Sequence, residues 1–361
     1  MKSSVFQLLL PLVLASPTPA PIYAHPKQGS HPKPAPGLGD LAKKAGLKYF
    51  GTAIDNVVLD NDEYTSIAFN RSEFNQVTPS NGQKWIHTEP QRNVFNWTLG
   101  DEIVDPSKDA HQMRRCHTFL WHQQLPDWVN NGNWTKTSLL SVLETHIKTV
   151  ADYYWNDCYA WDVVNEAFED DGTLRKSIWL DVIGPEYIEH TFRLARKYTS
   201  PGTKLYYNDY GIERVNNKSL AVARMISEYQ RADVPIDGVG LQAHFTVGRA
   251  PTYDDVRASQ QLFSVLGLET ALTELDVRIG LPDNANKTAA QAAIYADSVR
   301  ACVDEESCVG VTVWDFWDPV SWVPESFPGN GNACLWDENL ERKPAYYAIA
   351  DMLKEAAAKR A

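Results

Sequence analysis

The sequence predicts an α/β chain closed into a single (β/α)8 TIM barrel, and three observations predict it. Eight β-like apolar runs recur along the 361 residues, most of them separated by a helical pattern, with one βα unit roughly every 25–45 residues. The first run ends in Gly51-Thr52-Ala53-Ile54, which is no phosphate loop, so an open dinucleotide-binding sheet is not expected. Polar residues gather at the C-terminal ends of the runs, the end where barrels carry their sites.

Near the start of the sequence, Lys2 is followed by an apolar stretch from Val5 to Ala15. This is expected to be a secretory signal peptide within residues 1–24, with cleavage after Ala15, Ala20 or Ala24. Residues 25–37 continue a Pro-rich stretch and are expected to form an extended leader. The barrel is assigned to residues 38–361. Its β runs are Lys48–Ile54, Phe74–Ser80, Arg115–His122, Ala160–Ala167, Lys204–Tyr210, Gly238–Phe245, Glu269–Val277 and Gly310–Phe316. Helical periodicity marks Thr137–Tyr154, Glu186–Tyr198, Ser219–Arg231, Tyr253–Leu266 and Thr288–Cys302.

Apolar residues make up 43% of the chain, enough for a large core, and the net charge is −12. That charge argues against nucleic acid or anionic membranes as partners. Sequons begin at Asn70, Asn96, Asn133, Asn217 and Asn286, which fits a secreted glycoprotein. Of the five cysteines, Cys302 and Cys308 are close enough in sequence for a local disulfide. Cys116 and Cys158 both begin apolar strand runs, so neighbouring strands could join them, which leaves Cys334 odd. The spacings fit no zinc pattern. His117 and His122, five apart on one expected strand, face opposite ways and cannot share a metal. No metal or cofactor is expected, and the chain is expected to act as a monomer.

Two runs carry chemistry. Glu269-Thr-Ala-Leu-Thr-Glu-Leu-Asp-Val277 places Glu274 and Asp276 on one face of a strand by its period of two. Trp161-Asp-Val-Val-Asn-Glu-Ala167 ends in Asn165 and Glu166 in the same manner. Two carboxyls at the ends of two parallel strands, facing one cleft, suit glycosidic cleavage, one protonating the leaving oxygen and the other attacking, or orienting water at, the anomeric carbon.

Both motifs resemble those of the family 10 glycoside hydrolases, the family of the endo-β-1,4-xylanases. The resemblance spans about residues 40 to 355. It also includes Phe74-Asn-Gln-Val-Thr-Pro79, Lys84-Trp85, His117-Thr118, Trp121-His122, Gln124-Leu-Pro126, Trp128 and Lys343-Pro-Ala-Tyr346. It implies that Glu274 is the nucleophile and Glu166 the acid/base, with His244 and Asp276 supporting Glu274 and Asn165 holding a sugar 2-hydroxyl. It further implies sugar contacts from Lys84 and His122, with Asn81, Gln124 and Gln242 nearby, and cleft walls from Trp128, Trp314 and Trp322. His117 is expected to be structural, and Trp85, Trp121 and Trp161 to pack. Ser80 stands where relatives often carry Glu, and Gln83 where Met is common. Asp315-Phe-Trp-Asp-Pro-Val320 is bulkier than in many relatives.

The expected activity is endo-hydrolysis of β-1,4-xylosidic bonds in xylan by double displacement. One alternative is a tomatinase-like enzyme that releases the oligosaccharide of a steroidal glycoalkaloid. Another is a silent barrel that binds sugar or inhibits other enzymes.

Overall fold

The computed structural model describes residues 35–360, so the expected signal peptide and most of the Pro-rich leader lie outside the described residues. Ten strands appear: β1 Tyr49–Ile54, β2 Gln76–Pro79, β3 Met113–Leu120, β4 Ala160–Asn165, β5 Lys204–Asp209, β6 Gly238–Leu241, β7 His244–Thr246, β8 Glu269–Gly280, β9 Cys308–Val313 and β10 Asn330–Gly331. Eight of them form a ring of parallel strands in the order β1-β2-β3-β4-β5-β6-β8-β9, and β9 returns to pair with β1 through Tyr49↔Gly310 and Thr52↔Val313. This is the closed (β/α)8 barrel. Strands β7 and β10 pair with the outer half of β8 above the ring.

The strands form because their residues are β-branched or aromatic and buried on both faces. Every residue of β1, β4 and β9 is buried. The helices cover the outside with a single apolar stripe. Helix Lys136–Tyr153 buries Leu139, Val142, Leu143, Ile147 and Val150 at the spacing of one face, and Thr135 and Ser138 cap its first turn reciprocally.

The N-terminal mouth of the barrel is filled by Tyr49, Ala160, Tyr206, Ala271 and Val309. Among them the buried Arg115 guanidinium lies 4.4 Å from the centre of the Tyr206 ring and donates to Asp162 at 2.6 Å. A charge this deep is tolerated because it is paired. The large cleft lies at the opposite, C-terminal rim.

The structure joins Cys116 to Cys158 and Cys302 to Cys308, with Cα separations of 5.7 and 5.1 Å. Cys334 is buried and unbonded. The five sequon asparagines are all exposed.

Two runs differ from the sequence reading. The run expected over Gly238–Phe245 breaks at Gln242-Ala243 into β6 and β7, because Ala243 adopts a left-handed backbone with φ 63°. The run holding Glu274 continues to Gly280, and its register against β9 slips between Leu272 and Leu275. A strict period of two therefore does not hold there.

Candidate active site

The C-terminal strand ends surround an open cleft of about 1460 Å³. Glu274 and Glu166 both line it and are at least nine-tenths buried. Glu274 comes from β8, where its N–H donates to the Gln242 carbonyl at 3.0 Å. Glu166 follows β4 directly in a left-handed conformation with φ 58°. Its N–H is fixed by the Asn208 carbonyl at 2.9 Å, and its own carbonyl accepts from Arg175 Nε at 2.9 Å. Backbone of this kind persists where its surroundings overdetermine it.

The two carboxyls have different partners. Glu274 Oε2 lies 3.2 Å from His244 Nε2, and His244 Nδ1 lies 2.9 Å from Asp276 Oδ2. Burial alone would lower the pKa of this imidazole, but the Asp276 and Glu274 carboxylates outweigh it and push the value up to about 10. His244 is thus a cation at neutral pH. Burial would raise the Glu274 carboxyl, and the His244 hydrogen bond, the nearby His117 and the Asn208 amide together bring it below its ordinary value. Glu274 is held ionised. The Glu166 carboxyl meets neutral donors instead: Trp121 Nε1 at 2.9 Å and Gln242 Nε2 at 3.0 Å.

Amides bridge the pair. Asn208 Nδ2 donates to Glu274 Oε1 at 2.7 Å and to Asn165 Oδ1 at 2.9 Å, and Gln242 Nε2 reaches the same Asn165 oxygen at 3.2 Å. This orientation of Asn165 is assigned from its network, since turning the amide over would set its NH2 against two other NH2 groups. Glu213, a buried residue of the cleft wall, accepts from the Ala243 N–H at 2.8 Å and so fixes the kink that aims both Gln242 and His244.

Lys84 and Asn81 sit on one side of the cleft, with Lys84 Nζ donating to Asn81 Oδ1 at 2.8 Å and lying 5.0 Å from the centre of the Trp121 ring. Burial lowers the lysine pKa to about 8, opposed by the carboxylates of Glu274 and Glu166. Trp314 and Trp322 wall the cleft, and Trp322 Nε1 donates to Asp276 at 2.7 Å. Gln124 also lines it.

Three residues stand elsewhere than the sequence reading placed them. His117, expected to be structural, lines the cleft, with its Nδ1 3.0 Å from Asp162. His122, expected to hold sugar, is outside the lining, with Nδ1 4.0 Å from Glu166. Burial, together with the charges of Arg175 and Lys218, takes its pKa down to about 4, so it is neutral. Strand β3 ends at Leu120 after a register shift beyond His117, so His122 lies past the strand, and its expected sugar contact rested on the resemblance alone. Trp128 also leaves the cleft, where Trp121 stands instead. Its Nε1 donates to the Glu89 carbonyl at 3.1 Å, and its ring packs against Trp85 and Trp134.

Sequence reasoning gave no role to Asn208, Glu213, Asp55 or Asp315, although all but Asn208 line the cleft. The Asn-Asp-Tyr ending of β5 signalled Asn208. Asp315 lay in the polar end of the Gly310–Phe316 run, and nothing in the sequence marked Asp55 or Glu213. Among the described residues, no three His, Cys, Asp or Glu side chains are grouped to hold a metal.

The profile described as glycosyl hydrolase family 10 matches residues 37–352. The chain is 46% identical over 325 residues to endo-1,4-beta-xylanase A of Humicola insolens, covering 88% of this chain and 86% of that protein. It is 44% identical to an endo-1,4-beta-xylanase of Agaricus bisporus, covering 87% and 93%. Among solved structures, xylanase 10B of Thermotoga petrophila in complex with xylobiose superposes with a TM-score of 0.87 at 40% identity, covering 91% of this chain and 100% of that one. The Penicillium canescens endo-1,4-beta-xylanase XylE does so with 0.86 at 40%, covering 88% and 98%. With the barrel and the paired carboxyls of its rim, these likenesses mean that the chain belongs to glycosyl hydrolase family 10.

Proposed function

We propose that this glycoside hydrolase cleaves internal β-1,4-xylosidic bonds of xylan with retention, with Glu274 as nucleophile and Glu166 as acid/base. One observation carries the assignment of roles. Of two carboxyls joined through the same amides, Glu274 touches an imidazolium and Glu166 touches only uncharged donors. A nucleophile must be ionised on attack, whereas a general acid must be free to give up and regain a proton.

The steps follow from these contacts. Glu274 attacks the anomeric carbon while Glu166 protonates the leaving oxygen. Glu166, then ionised, takes a proton from the water that breaks the glycosyl ester. Asn165 presents its amide to the 2-hydroxyl, a contact that tightens as oxocarbenium character develops. His117, Lys84 and Asn81 hold the sugar on the glycone side, while Trp314 and Trp322 stack against its rings. The named relatives are endo-xylanases and give the glycoalkaloid alternative no support over xylan. The intact carboxyl pair argues against a silent barrel.

Secretion is part of the same reading. It rests on the expected signal segment, the exposed sequons and the two disulfides, which persist in oxidising compartments. The enzyme works as a monomer, with residues 38–361 as its catalytic domain.

The test is to replace each glutamate. Glu274→Ala should abolish turnover, and added azide should restore a product of inverted configuration. Glu166→Ala should slow xylan cleavage far more than cleavage of an aryl glycoside with a good leaving group. An identical response of both variants to azide and leaving group would refute the assignment.

A further inference from the structure

Asp315 follows Trp314 at the end of β9 and lines the cleft, yet it is 3% exposed, and its Oδ1 has no hydrogen-bond partner among the described residues. Buried polar atoms are almost always paired, so an orphan in a cleft wall asks for a partner that arrives with the ligand. Its surroundings place it on the glycone side. Asp55, on the loop after β1, accepts from Ser80 Oγ at 3.0 Å and from Asn81 Nδ2 at 2.6 Å, and that Asn81 also binds Lys84. Asp55, Ser80, Asn81 and Lys84 all line the cleft with Asp315. Asp55 already accepts from Ser80, Asn81 and the Val57 N–H, whereas Asp315 Oδ1 is free among the described residues.

We propose that Asp315 is a specificity-determining residue whose carboxyl hydrogen-bonds a hydroxyl of the xylose unit bound on the Asn81 side of the scissile bond. The proposal rests on the xylan reading above. Burial and the charges of Asp55 and Asp276 push this acid well above the usual carboxylate range, with Lys84 pulling the other way. Tyr64 and Cys334, the other ionisable groups near it, are themselves buried and neutral. The upward shift favours the protonated carboxyl, the form that can donate to a sugar oxygen as well as accept from one.

The backbone supplies clean variants. Asp315 has φ 57°, a conformation that Gly and Asn also adopt readily, so neither replacement strains the fold. Asp315→Gly removes the contact, while Asp315→Asn keeps a donor and an acceptor of similar shape. Kinetics on xylotriose to xylohexaose, with product profiles and melting curves, give the readout. Asp315→Gly should raise KM about 10-fold with kcat changed less than about 3-fold, and should shift the cleaved bond along the oligosaccharide, whereas Asp315→Asn should stay within about 3-fold of wild type. An unchanged KM and product profile in the Gly variant would overturn the role of Asp315, as would equal losses in both variants. A wild-type enzyme that leaves xylo-oligosaccharides intact would overturn the xylan reading, and this proposal with it.

Discussion

His244 sits between two carboxylates, and its charge has a consequence for stability. Its folded pKa of about 10 lies above the value of 6.5 in an unfolded chain. The native state therefore binds its proton more tightly, which stabilises the fold fully below pH 6.5 and progressively less as pH rises toward 10. The Glu274 carboxyl, held below its ordinary value, acts in the opposite direction: its contribution is present above its unfolded value and is lost as pH falls through the folded one. Lys84, lowered to about 8, sheds an unfavourable buried charge above that pH and offsets the His244 effect there, so thermal melts should show a loss on the order of 2 kcal/mol between pH 6.5 and 8. His244→Asn should melt lower at pH 6 and show a flatter alkaline limb. Trp121 allows a kinetic test at the same scale. Replacing it by Phe keeps the ring but removes the N–H that Glu166 receives at 2.9 Å. Activity on xylan should fall at least about 10-fold, and activity on an aryl xyloside with a good leaving group should fall less.

At the scale of elements, the break between β6 and β7 gives the site its shape. The Ala243 kink turns Gln242 toward Glu166 and His244 toward Glu274, and the buried Glu213 carboxyl secures it through the Ala243 N–H. Glu213→Ala leaves that N–H unpaired in the core and should cost about 1–3 kcal/mol. Both kcat on xylan and the melting temperature should fall, even though Glu213 is neither nucleophile nor acid. The strands themselves were legible, because burial on both faces writes an apolar run into the sequence. The paired carboxyls were legible too, because Glu166 and Glu274 end such runs. The aim of individual side chains was not. The sugar contact of His122 came from the resemblance alone, and the facing of His117 and His122 could not be counted off the sequence because β3 shifts register after His117 and stops at Leu120. Trp121 and Trp128 were confused because one tryptophan reads like another until its N–H has a partner. Glu213 was missed because a carboxyl outside a strand run looks like a surface charge, and Asp315, although inside the Gly310–Phe316 run, was read only as part of a bulky rim segment.

For the molecule as a whole, the two disulfides should contribute unequally. Cys116–Cys158 spans 42 residues and Cys302–Cys308 only 6. In the chain-entropy description these correspond to roughly 4 and roughly 2 kcal/mol. Removing the first pair by Cys116→Ala and Cys158→Ala should lower the melting temperature more than removing the second. Because Cys116 adjoins His117, the first pair should also raise KM when lost. The pairing of β9 with β1 has a different consequence, one of timing. It joins residues 49–52 to residues 310–313, so the ring is incomplete until nearly the whole barrel has been synthesised. Asp55 belongs to the first strand end and Trp314 to the last, and the cleft needs both walls. A nascent chain arrested before residue 310 should therefore be inert toward xylan, and the enzyme acquires its activity in one late step.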